Sequence, residues 1–178
     1  DSRFSSWQQE FDSPTGYKIK IPRKRGFLFI ISSMNLPLHP AIVHYPIALI
    51  TAAFIFQAIH LWKNNWICRT TSMWLLGLGA IMSIAATLTG ENEAARAGQV
   101  GYDSVVLTTI QRHELLSNIT TWGSILVLLF WIYLFLNNME DRRVDYLALA
   151  FLGLLSVIVI FSSYLGDTLT FIHGVGIK

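Results

Sequence analysis

Four stretches of this chain, about Ala41–Trp62, Ser72–Gly90, Glu114–Leu136 and Asp145–Leu169, have no Lys, Arg, Asp or Glu in their interiors until Asp167. Each runs ~19–25 residues, long enough to cross a hydrocarbon core of roughly 30 Å as a helix. That pattern leaves one fold class: an all-α integral membrane protein, a four-helix up-down bundle. Composition agrees. The 178 residues are 53% hydrophobic and only 13% charged, with mean hydropathy +0.48, whereas a soluble domain carries nearly twice that charge.

What remains of the charge excludes several functions. A net charge of +2, with Lys18, Lys20, Arg23, Lys24 and Arg25 as its only basic cluster, does not suggest nucleic acid as a partner. The lone Cys68 cannot form an internal disulfide or a cysteine-built metal site, and no CxxCH is present for covalent haem attachment. Residues 1–33 are polar, begin with Asp1 and lead through RKRGFLFIISS to Met34. They read as an N-terminal extension: an upstream stretch, a remnant of a fused partner or a peripheral arm. Residues 34–178 form the four-span domain.

The connections are unequal. Residues 63–71 and 137–144 are short and polar, and residues 91–113 read as a longer loop in which Gly90 takes the positive-φ position at a helix C-terminus. The short loops carry Lys63, Arg69, Arg142 and Arg143, while the other face carries Arg96, Arg112 and Lys178. The positive-inside rule then puts the short loops in the cytoplasm of a bacterial inner membrane and the long loop outside. The basic residues within 1–33 would reverse that bias if they belong to the same face.

Helices in lipid are held by small residues and inter-helix hydrogen bonds. Four stripes fit that role: His44, Ala48, Thr51 and Ile55; Gly79, Ser83, Ala86 and Gly90; His113, Ser117, Thr120 and Ser124; Gly153, Ser156, Ile160, Ser163 and Asp167. An up-down topology also gathers His39, His44, His113 and His173 at one membrane face. Imidazoles there cost free energy unless paired, hydrated or bound, so the cluster is a candidate site. In LPLHPAIVHYP, Pro40 suits the first helical position and Pro46 frees the carbonyl of Ile42. His39 and His44 point about 140° apart on an ideal helix, so they flank a cavity from two sides.

The segments LPLHPAIVHYPIAL, LTGENEAA, QRHELLSN and SYLGDTLTFIHGVGI resemble, in order, the motifs of the domain of unknown function 2231 family of small four-helix bacterial membrane proteins. The resemblance covers residues 36–178. It places His39, His44, His113, Asn118 and His173 on the family's characteristic positions. Asp167 departs from it, standing where the family tends to have the second glycine of YLGG. The resemblance implies a membrane protein sometimes joined to cytochrome-like domains, and implies no activity.

The chemistry open to the cluster is then threefold. Imidazoles from different helices can ligate a b-type haem for electron transfer, with His44 and either His113 or His173 as the expected axial pair. Arg112 and Asn118 are candidate partners for its propionates, and Tyr45, Trp122 and Tyr164 candidate walls. Alternatively His44, His113 and His173, with Glu91, Glu93 or Asp167 assisting, hold zinc or copper. Otherwise the histidines are structural, and the chain is an accessory subunit or homo-oligomer of a larger membrane complex working with membrane or periplasmic electron-transfer proteins. No HExxH supports hydrolysis, so an enzyme is the least expected outcome. His60, roughly 24 Å along the helix from His44, reads as an interfacial polar residue without a partner, which argues against a two-haem relay. On this reading His44→Ala abolishes a bound chromophore and His60→Ala does not.

Overall fold

The computed structural model describes residues 38–137 and 141–175. The expectations for residues 1–33 lie outside them. Four helices follow in order: α1 (Leu38–Lys63), α2 (Trp66–Val100), α3 (Ser104–Asn137) and α4 (Arg142–Asp167), the last passing into a π-helical turn at Thr168–Ile172. All four are long and apolar enough to span a membrane. Around the bundle α1 neighbours α2 and α4, and α3 neighbours α2 and α4. The chain is thus two hairpins, α1–α2 and α3–α4, side by side.

The core is narrow. Ile50, Ala53, Leu76, Trp131, Val144, Ala148, Leu152, Leu155 and Val159 are buried together at its centre, and large apolar side chains such as Trp74, Leu126, Val157 and Phe161 face outward. In water that exterior would be prohibitive; against acyl chains it costs nothing, and close approach of small residues holds the helices instead. A Cβ added at Gly79 would come within 3.0 Å of Ile50 on α1, and one at Gly123 within 3.0 Å of Leu155 on α4. Ser72 donates to the Ala53 carbonyl at 2.6 Å, binding α2 to α1.

Three expectations are corrected here. Residues 91–113 are not a loop. The run ENEAARA is rich in good helix formers, Arg96 reaches Glu93 one turn back at 3.3 Å, and α2 continues to Val100. Gly101, at φ 77°, is the true C-terminal glycine, and the Asp103 carboxylate accepts from the Ser104 N–H at 2.7 Å to start α3. Gly90 lies inside the helix. With 35 and 34 residues, α2 and α3 are ~50 Å long, well beyond a ~30 Å hydrocarbon core.

Second, the face of α1 turned inward carries Pro46, Ile50, Ala53, Gln57 and His60; His44, Ala48 and Ile55 are exposed. The α4 stripe is rotated likewise, with Leu152, Leu155, Ser156, Val159 and Ser162 buried and Ile160 and Asp167 exposed. The stripes on α2 and α3 lie as expected: Gly79, Ser83, Ala86, Thr120 and Ser124 are buried. Third, the bundle is not free of internal charge. Arg69 and Asp145 are 4% and 5% exposed and pair at 2.7 Å, joined by buried His60.

The hairpins repeat one another. Every buried position of α2 from Arg69 to Ala86 has a buried counterpart 76 residues later on α4, from Arg69 with Asp145 to Ala86 with Ser162. Pro46, Ile50 and Gln57 of α1 match Thr120, Ser124 and Trp131 of α3 at an offset of 74. Both hairpins run the same way through the membrane, so the relating pseudo-twofold axis lies along the bundle.

Candidate functional site

The repeat places one histidine of each hairpin at the same end. His39 opens α1 and His113 lies one helix diagonal away on α3; their rings meet near edge-on, with centroids 6.2 Å apart and planes at 78°. Each ring is aimed by the partner helix of its own hairpin. Nδ1 of His39 lies 2.9 Å from the Ala86 carbonyl and 3.2 Å from the Thr89 hydroxyl. Nδ1 of His113 lies 2.9 Å from the Ser162 carbonyl and 3.3 Å from the Ser162 hydroxyl. A ring nitrogen facing a carbonyl must donate to it, so both rings carry hydrogen on Nδ1 and keep Nε2 as the acceptor.

Two glycines make the room. A Cβ at Gly90 would stand 2.9 Å from the His39 ring, and one at Gly166 would stand 3.2 Å from the His113 ring. Gly90 and Gly166 are themselves repeat counterparts, each four residues beyond the carbonyl that its histidine engages. The same device, an imidazole laid on a glycine and bonded one turn earlier, is built twice.

Clefts flank the pair on two sides. One, with ≈ 760 Å³ of empty space including its open mouth, is walled chiefly by α2 and α3 through Thr87, Gly90, Ala94, Ile110 and Ser117, with Leu169 and Val175 from the C-terminal turn. The other, ≈ 840 Å³ on the same measure, is walled chiefly by α1 and α4 through Val43, Pro46, Ile47, Val159, Ser163 and Phe171. His39, Pro40, Thr87, His113, Ser117, Gly166 and Thr170 border both. The inner walls are apolar with a few hydroxyls, and carboxylates (Glu91, Glu93 and Glu114 on one side, Asp167 on the other) stand at the rims.

The other expected site residues are distributed around this pair. His44 borders the α1–α4 cleft but is exposed, as its angular separation from His39 requires. His173 follows the π-helical turn, its backbone N–H on the Thr168 carbonyl, and borders neither cleft. Arg112 is exposed and Asn118 half-buried, and neither borders a cleft. Among the described residues no three His, Cys, Asp or Glu side chains converge as a metal site would need.

At the opposite end lies a second cluster that spacing did not reveal. Asp145 Oδ1 of α4 forms an ion pair with Arg69 Nε of α2 at 2.7 Å, and its Oδ2 lies 3.3 Å from His60 Nε2 of α1. The Asn65 carbonyl lies 2.9 Å from His60 Nδ1, Gln57 donates to the Asp145 carbonyl at 3.1 Å, and the Arg69 guanidinium stacks 4.5 Å over the Phe135 ring of α3. His60 is therefore buried and partnered, against the expectation of an isolated interfacial residue. Arg69 and Asp145 were read as loop and span-edge residues because each lies one turn inside a helix end. The available signal was the repeat itself: Leu76-Gly77-Leu78 and Gly90-Glu91 recur as Leu152-Gly153-Leu154 and Gly166-Asp167, and the same offset sets Arg69 opposite Asp145.

A family model described as "Predicted membrane protein (DUF2231)" matches residues 35–178. No curated protein and no solved structure matches the chain.

Proposed function

We propose that this chain, which belongs to the DUF2231 family of predicted membrane proteins, holds a b-type haem between His39 and His113 and serves electron transfer at one face of the membrane. The observation that carries the reading is the matched imidazole pair. Two imidazoles on opposite sides of one metal, each about 2 Å from it, have ring centres about 6 Å apart, and the His39 and His113 rings are 6.2 Å apart. Their Nδ1 atoms face backbone carbonyls, leaving the Nε2 lone pairs for a metal, the usual orientation of a ligating histidine. The clefts on two sides suit a flat group whose edges extend beyond both rings.

His39, in place of His44, would pair with His113 in holding the group, because His39 lies against the His113 ring while His44 is exposed. A closed zinc or copper site needs four protein donors, and a pair of histidines does not supply them; a porphyrin would provide the remaining four nitrogens itself. When bound, haem supplies one-electron chemistry. The protein's part is to fix both rings, exclude water from the apolar walls and leave the mouth open to the aqueous side. Among the described residues no Lys or Arg borders either cleft, so imidazoles and apolar contact would carry the binding there. Lys63, Arg142 and Arg143 at the opposite end favour placing the His39–His113 end on the periplasmic side.

The test is a haemin titration of detergent-purified protein, read by absorption before and after dithionite with metal analysis on the same sample. The expected result is one haem per chain, with the six-coordinate spectrum lost in His39→Ala and in His113→Ala but kept in His44→Ala and His60→Ala. Retention of that spectrum in the first two variants would remove the pair from the site. A protein that stays colourless with haemin leaves the two rings as cross-links within each hairpin.

A further inference from the structure

The repeat governs how the two imidazoles are turned toward each other. The torsion that sets the plane of a histidine ring has broad wells, so the plane is decided by whatever holds the ring. Here the holding is duplicated. In each hairpin Nδ1–H donates to a backbone carbonyl at 2.9 Å, Ala86 for His39 and Ser162 for His113. A hydroxyl stands beside that carbonyl, Thr89 at 3.2 Å or Ser162 at 3.3 Å, and the ring lies on a glycine, Gly90 or Gly166. Turning a ring about the line through its Nε2 would swing Nδ1 off its carbonyl and lift Cε1 from its glycine. Like anchors related by a pseudo-twofold along the bundle give parallel rings only where each plane runs along that axis or square to it. When each plane contains the line joining the rings, the axis converts a tilt to one side into an equal tilt to the other. The angle between the planes is then twice the tilt, which is about 39° in each hairpin, half the observed 78°.

We propose that the duplicated anchors hold His39 and His113 as axial ligands with their planes crossed, and keep them crossed in both oxidation states of the iron. That the rings hold iron rests on the haem reading; the crossing is a property of the chain. The π orbital of an imidazole ligand stands perpendicular to the ring and acts on the metal d orbital lying in that direction. Parallel rings act on the same d orbital and split it from its partner, whereas crossed rings act on one each and leave the two nearly equal in energy. Oxidised low-spin iron between crossed rings therefore gives a strongly anisotropic electron paramagnetic resonance spectrum dominated by one feature at large g. Between parallel rings it gives three resolved rhombic features. Hydrogen bonds to the outer nitrogen also orient a ligating ring, and rings that cannot turn as the iron changes charge keep the rearrangement accompanying one-electron transfer small. Gly90 and Gly166 are then positioning residues, acting on the iron only through the rings.

The test is the frozen-solution spectrum of the oxidised, haemin-loaded protein, and the parent chain suffices for it. The large-g feature is expected. In protein oriented in stacked bilayers it should be strongest with the field in the membrane plane, because an axis along the bundle sets the line from His39 to His113, and with it the haem normal, across that axis. Gly90→Ala, whose Cβ would stand 2.9 Å from the His39 ring, should keep the haem and shift the spectrum toward the rhombic type. Gly98→Ala, with nothing within 4 Å of its Cβ, should leave the spectrum unchanged. A rhombic spectrum from the parent, with haem lost in His39→Ala and in His113→Ala, would overturn the crossing and leave the haem reading standing. An unshifted large-g spectrum in Gly90→Ala and in Gly166→Ala would overturn the anchoring. A protein that takes up no haemin, or a large-g feature that survives in His113→Ala, would overturn both the crossing and the haem reading.

Discussion

Asp145→Leu is the substitution whose consequence the structure defines most sharply. At the 2.7 Å separation of Asp145 from Arg69, the pair attraction is about 6 kcal/mol at an effective dielectric near 20. Much of it offsets the cost of removing both ions from water, so the pair as a whole contributes little net stability. Breaking it is a different matter. Removing the carboxylate leaves a guanidinium that is 4% exposed and cannot shed its proton, a loss of about 3–5 kcal/mol. Arg69→Leu should cost less, since the carboxylate left behind keeps His60 at 3.3 Å. The double variant Arg69→Leu with Asp145→Leu should recover to within about 1 kcal/mol of the parent, because apolar residues of similar volume replace a buried pair nearly without loss. Reversible unfolding in mixed detergent micelles, followed by far-ultraviolet circular dichroism, gives the three values. A double variant no more stable than Asp145→Leu would refute the argument, as would a loss below about 1 kcal/mol in that single variant.

Other substitutions probe the site and the turn. Gly90→Ala should cost about 1–3 kcal/mol through overpacking against the His39 ring, 2.9 Å from the new Cβ, whereas Gly98→Ala, with nothing within 4 Å, should stabilise α2 by about 0.5–1 kcal/mol; the same unfolding assay ranks them. Gly101→Ala forces a side chain into φ 77° and should cost roughly 1 kcal/mol or more at the α2–α3 turn, read as a lowered Tm. Ser72→Ala removes the 2.6 Å bond to the Ala53 carbonyl, for which about 0.6 kcal/mol is expected in a membrane bundle. A loss several times larger would mean that the α1–α2 contact depends on that hydroxyl far more than such bonds usually allow.

Chain length and charge alone set the coarse architecture. Four uncharged runs determine four spans, the short connections make neighbours antiparallel, and a fixed rise per residue sends His39, His44, His113 and His173 to one end and His60 to the other. Rotation of each helix about its own axis was left to tertiary structure. In a soluble bundle a polar face shows which side is out, but here the lipid side is as apolar as the core, so the sequence carries little amphipathic signal. That is why His44 could be set inward when His39 is the residue that turns in, and why the α1 and α4 stripes were misread. Residues 91–113 had helix-forming composition but polar character, and polarity was taken for a loop; contact between α2 and α3, with Ala97 and Val106 buried, extends both helices beyond the site and joins the two hairpins there. The diagonal pairs, His39 with His113 at one end and Arg69 with Asp145 at the other, join residues at least 74 positions apart in sequence. Only the meeting of the two hairpins decides which of the side chains at a given depth stand face to face.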